Sequence, residues 1–134
     1  MNMPMLASYN EALSRISKVL RNLYPLLRDK ADSSYLSSID AVRFLEYIKL
    51  LLESLLILKG FRPPSLDVTN IAAIALDLGL ISSKEFSVIT DLNVKIRLGW
   101  RLKSNELIDI ISALLRRIEE VDPYVRRDLR LFIY

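Results

Sequence analysis

Ile39-Asp40-Ala41-Val42-Arg43-Phe44-Leu45-Glu46-Tyr47-Ile48-Lys49-Leu50-Leu51-Leu52-Glu53-Ser54-Leu55-Leu56-Ile57-Leu58-Lys59-Gly60 reads as a single long helix with its own stop. The pattern predicts a helix from about Ser34 to Lys59. Gly60 suits the left-handed position that ends a helix, and Pro63-Pro64 bars its continuation. Its apolar residues (Ile39, Val42, Phe44, Leu45, Ile48, Leu51, Leu52, Leu55, Leu56 and Leu58) cover far more than one stripe. Charge is confined to a thin band at Arg43, Glu46, Lys49 and Glu53. A helix apolar nearly all round must be covered on several sides. Three or four neighbouring helices could cover it, and so could a second copy of the chain. The expectation is a homodimer with this helix at the interface, through Phe44, Ile48, Leu52 and Leu55.

Helical periodicity extends outward in both directions. Leu6, Tyr9, Leu13, Ile16, Leu20, Leu23 and Leu27 alternate spacings of three and four, which lines one side of a first helix. Pro25 predicts a kink or an early end near Asn22–Tyr24. Asp32-Ser33-Ser34 supplies turn and cap chemistry before the second helix. A third helix is expected from roughly Asp67 to Leu78, closed by Gly79. Ser82 with Glu85 forms a capping box for a fourth, which runs to about Leu98 and closes at Gly99. Ser104 is the expected cap of a fifth, whose face is Leu107, Ile111, Leu114, Leu115 and Ile118. Asp122-Pro123 opens a short last helix carrying Val125, Leu129 and Phe132. No strand pair with hairpin chemistry is visible. The fold class is all-α, an up-and-down bundle of about five helices plus a short C-terminal one, with residues 1–134 forming a single domain.

Composition excludes more chemistry than it suggests. The 134 residues contain no histidine and no cysteine. This removes the commonest general base, the commonest metal ligand and the thiolate ligand together. Histidine-based triads and Cys/His zinc sites are excluded, and no metal or cofactor is expected. The three glycines each look like a helix stop, so no glycine-rich phosphate loop exists. Glu119, Glu120 and Asp122 sit among Arg116, Arg117 and Arg126, an ordinary solvated helix end with ion pairs. At 51% hydrophobic and 26% charged the chain is globular. No signal peptide or bilayer span is visible, and the absence of cysteine fits the cytoplasm. The expectation is a soluble cytoplasmic protein without membrane contact.

The net charge of +3 is local in origin. Lys95-Ile96-Arg97-Leu98-Gly99-Trp100-Arg101-Leu102-Lys103 alternates cations with apolar residues and holds the only tryptophan. Basic side chains beside an aromatic suit phosphate contact with base stacking. The simpler reading makes Trp100 and the leucines a core plug where two helices meet, with the cations snorkelling to water. The candidate binding residues are Asn93, Lys95, Arg97, Trp100, Arg101 and Lys103. No residue is assigned a catalytic role.

The order of these features resembles the HEPN superfamily, in particular its HepT-like branch. The matching pieces are Leu58-Lys59-Gly60-Phe61-Arg62-Pro63-Pro64, Leu78-Gly79-Leu80-Ile81, Leu98-Gly99-Trp100 and Glu106-Leu107-Ile108-Asp109-Ile110-Ile111, spread over roughly Leu36 to Val121. The resemblance implies a helical dimer paired with a nucleotidyltransferase-like protein in a toxin–antitoxin-type system, whose active relatives cut RNA at the dimer interface. The family's motif is an arginine, commonly followed by asparagine, then a histidine about five positions on, often with a tyrosine two later. Placing Leu98-Gly99-Trp100 on the histidine–glycine–tyrosine segment puts Asn93 at the arginine. Placing Arg97 on the arginine puts Leu102 at the histidine. In both registers leucine stands where the proton-transfer residue belongs, and in the first Trp100 lacks the hydroxyl that partner enzymes modify. The resemblance therefore implies a non-catalytic binding module for a nucleotidyltransferase-like protein or RNA. A ribonuclease with a non-standard site and an unrelated helical scaffold or adaptor are the alternatives.

Overall fold

The computed structural model describes residues 3–29 and 35–133. Among these it contains six helices and no strand: α1 (Met3–Asp29), α2 (Ser38–Leu58), α3 (Val68–Asp77), α4 (Ser83–Arg97), α5 (Ser104–Val121) and α6 (Val125–Ile133). Asp32-Ser33-Ser34 lies outside the described residues. The cap of α2 is Ser37, whose hydroxyl accepts the Asp40 N–H. Pro25 does not end α1, which continues to Asp29. Proline deprives only the carbonyl one turn earlier of its partner, so the ladder resumes beyond it. Asp122 ends α5 and holds the Tyr124 N–H (3.0 Å), so α6 begins two residues after Pro123.

α2 is the central helix, and α1, α3, α4 and α5 all pack against it. These neighbours bury Phe44, Ile48, Leu52 and Leu55 to 1% exposure or less within one chain. The residues expected at an interface are thus core residues of the single chain. The reason is arithmetic: the surrounding helices number enough to cover a helix that is apolar on three sides.

Contacts along α2 fix the helix directions. The Ser54 hydroxyl reaches the Ala12 carbonyl (3.4 Å), and Arg15 pairs with Glu53 (3.6 Å), so α1 runs antiparallel to α2. An isolated bridge joins Tyr35 to Lys103 just before α2 and α5 begin, while Ile57, Leu58, Asp122 and Tyr124 line one cleft where they end. α5 therefore runs in the same sense as α2. Glu85 near the start of α4 meets Arg117 late in α5, and Asp67 at the start of α3 meets Arg97 at the end of α4. Hence α3 also runs in the sense of α2, and the up-and-down order breaks between α2 and α3. Residues 59–67 join α2 to α3 without a helix: 59–60 turn at the end of α2, Gly60 to Pro63 line the cleft there, and the Leu66 N–H donates back to the Pro64 carbonyl (3.0 Å). No helix among the described residues is long and apolar enough to cross a membrane.

Candidate functional site

The basic stretch lies where α4 ends. Gly99 adopts φ +76°, its N–H donates to the Ile96 carbonyl (3.1 Å), and the Trp100 N–H donates to the Lys95 carbonyl (2.9 Å). This paired 5→2 and 6→1 closure satisfies carbonyls that the helix end leaves open. The same closure recurs at Gly60 with Phe61 and at Gly79 with Leu80. Leu80 turns into the core, whereas Trp100 is 60% exposed. The aromatic ring thus stands on a rigid backbone step with nothing packed over most of it.

Beyond the step the chain is extended, and side chains alternate. Leu102 is buried and its carbonyl accepts the Leu36 N–H (2.8 Å), while Arg101 and Lys103 point to water. The core-plug reading therefore holds for Leu102 and fails for Trp100 and for Leu98, which is 66% exposed. Val94, one turn before Leu98 on α4, is also exposed. Val94, Leu98 and Trp100 form an apolar patch, and sequence pattern alone gave no signal for Val94.

The candidate polar residues separate. Asn93 is 9% exposed and donates from Nδ2 to Thr69 Oγ1 (3.0 Å), so it ties α4 to α3 and offers no surface. Lys95 is held by Asp91 one turn back (3.0 Å), and that hydrogen bond raises its pKa. Arg97 reaches Asp67 at 3.7 Å while staying largely in solvent. Lys103 lies over the Tyr35 ring, 5.8 Å from its centroid, and its N–H donates to the Glu106 carboxylate (3.1 Å). Arg101 makes no ion pair among the described residues. The surface that results carries Val94, Leu98 and Trp100 with Arg97, Arg101 and Lys103 beside them.

A second feature was not visible in the sequence. An open cleft of about 920 Å³ lies between the start of α1, the end of α2 and the α5–α6 corner. In it the Tyr9 hydroxyl donates to Asp128 Oδ2 (2.5 Å). Burial and the hydrogen bond to Asp128 push the Tyr9 phenol up, and that bond with Arg127 holds the Asp128 carboxyl down. Both groups are driven away from neutrality, whereas an acid–base catalyst needs a pKa close to the working pH. No group of three or more acidic residues among those described could hold a metal ion. Comparison of the chain with protein-family models, curated proteins and solved structures finds no match.

Proposed function

We propose that this chain is a non-catalytic, HEPN-like binding module that acts as two copies and contacts a protein partner through the Val94–Lys103 surface. The partner implied by the sequence resemblance is a nucleotidyltransferase-like protein in a cytoplasmic toxin–antitoxin-type pair. One observation carries the reading: Leu98 and Trp100 are 66% and 60% exposed on a backbone fixed by the Gly99 closure. Leaving such side chains in water forgoes about 1.5–3 kcal/mol each that a partner could recover. Tryptophan and arginine dominate the energetics of protein interfaces, and here they adjoin two exposed aliphatics. The leucines at the positions of the family's histidine cannot move a proton, which supports binding over turnover.

The test is co-expression with a minimal nucleotidyltransferase-like protein, taken from beside this chain's gene if one is encoded there. A stable complex is expected, weakened about 30-fold or more by Trp100→Ala or Leu98→Asp. No complex, or one indifferent to both changes, rejects the protein partner.

RNA is the second reading, favoured by Arg101, a cation with no ion pair among the described residues next to a stackable ring. Trp100, as the only tryptophan, reports binding of single-stranded RNA by its own fluorescence. If phosphates are the ligand, Arg101→Ala should flatten the salt dependence by about 0.7 in log–log slope. Cleavage of labelled RNA that Arg97→Ala abolishes would restore the ribonuclease alternative.

A further inference from the structure

On the side of α2 facing away from Phe44, Ile48, Leu52 and Leu55, the first half of the helix leaves exposed side chains among the described residues. Ile39, Arg43, Glu46 and Leu50 follow one another at spacings of four, three and four, which places them on one stripe. Ile39 is 68% exposed, Arg43 and Glu46 are exposed, and Leu50 is half-buried. Arg43 and Glu46 make no ion pair with each other or with any described residue. Exposed Val42 flanks the stripe.

That spacing is the same in either direction, and the order apolar, cation, anion, apolar becomes its own complement when reversed. We infer that α2 pairs antiparallel with α2 of a second copy, across a two-fold axis between Arg43 and Glu46. Ile39 then lies against the partner's Leu50, and Arg43 meets the partner's Glu46. Each contact occurs twice, as an isologous interface requires. A parallel pairing in register would set Arg43 against arginine and Glu46 against glutamate. The inference rests on the two-copy part of the function proposed above and uses none of the Val94–Lys103 surface. A stripe on one helix is smaller than the about 800 Å² per partner of standard interfaces, so association in the micromolar range is expected.

The experiment is light scattering of the purified chain, from about ten to several hundred micromolar, with helix content followed by circular dichroism. The expected result is a dimer for the natural chain. R43E and E46R should each raise the dimer dissociation constant by about tenfold or more, and the R43E/E46R double variant should restore it. Ile39→Asp, which leaves the charges in place, should also weaken association. A natural chain that dimerises equally well in all four variants overturns this pairing and moves the two-copy reading to another face. A monomer at every concentration overturns both.

Discussion

Glu85 does two jobs with one carboxylate. It accepts the Ser82 N–H (2.8 Å) while the Ser82 hydroxyl accepts the Glu85 N–H (3.1 Å), which completes the capping box of α4. The same carboxylate receives Arg117 Nε at 3.1 and 3.2 Å, linking the start of α4 to α5. Burial alone would raise its pKa, but the Ser82 N–H and Arg117 outweigh it and hold the carboxyl below its usual 4.5. A carboxyl depressed in the folded state contributes stability that is complete above its ordinary value and disappears as pH falls through the folded one. Glu85→Ala should cost about 1–3 kcal/mol near neutral pH, from the lost cap and the stranded Arg117. The loss relative to the natural chain should shrink as pH falls below about 4, and urea titrations across that range measure it. The Ser82–Glu85 half was legible from spacing. The Arg117 half was not, because it joins residues on separate helices. Asn93 shows the reverse failure: an amide satisfied by Thr69 inside the fold and one free to bind a ligand look identical in sequence.

At the level of elements, chain punctuation was the most readable feature. Gly60, Gly79 and Gly99 were all expected to stop helices, and all three sit at φ between +72° and +89°. A stop written by backbone sterics needs only its own few residues, so local sequence suffices. Helix starts were read less well: α2 begins beyond Ser34, α6 begins beyond Pro123, and Ser104, expected as the cap of α5, is its first helical residue with Lys103 at the cap position. Gly99 offers a clean measurement of the stop, because a Cβ placed there meets nothing within 4 Å. Gly99→Ala should therefore cost about 1–2 kcal/mol from left-handed strain alone. Gly99→Asn should cost less, because asparagine tolerates that conformation. Equal losses in both, read from denaturant midpoints, would show that left-handed strain is not what the substitution costs. The step also aims Trp100, so Gly99→Ala should change the quenching of tryptophan fluorescence while Gly79→Ala leaves it unchanged.

For the whole molecule, the question is what satisfies the apolar excess of α2. Sequence shows that excess without showing whether the chain's own helices or a second copy absorbs it, because either solution removes the same side chains from water. Within one chain, α1, α3, α4 and α5 all pack on α2, with α3 and α5 running in its own sense. The connection at 59–67 carries no periodicity, which explains why a strict up-and-down order was expected instead. The same ambiguity concealed the candidate surface, since a tryptophan between leucines fits a core as well as an interface until the core is seen to be full. The two accounts of α2 predict different behaviour for Leu52, which is fully buried in one chain. As a core residue, Leu52→Ala should cost about 2–5 kcal/mol through the cavity it leaves. This loss should appear in chemical unfolding at every protein concentration, since a core contact within one chain is independent of mass action. As an interface residue it would instead weaken association, and unfolding midpoints would shift with concentration. Urea unfolding of the natural chain and of Leu52→Ala, each at two concentrations about a hundredfold apart, separates these accounts. A large loss that is the same at both concentrations places Leu52 in the core of a single chain, and a loss that fades as protein is added places it between two.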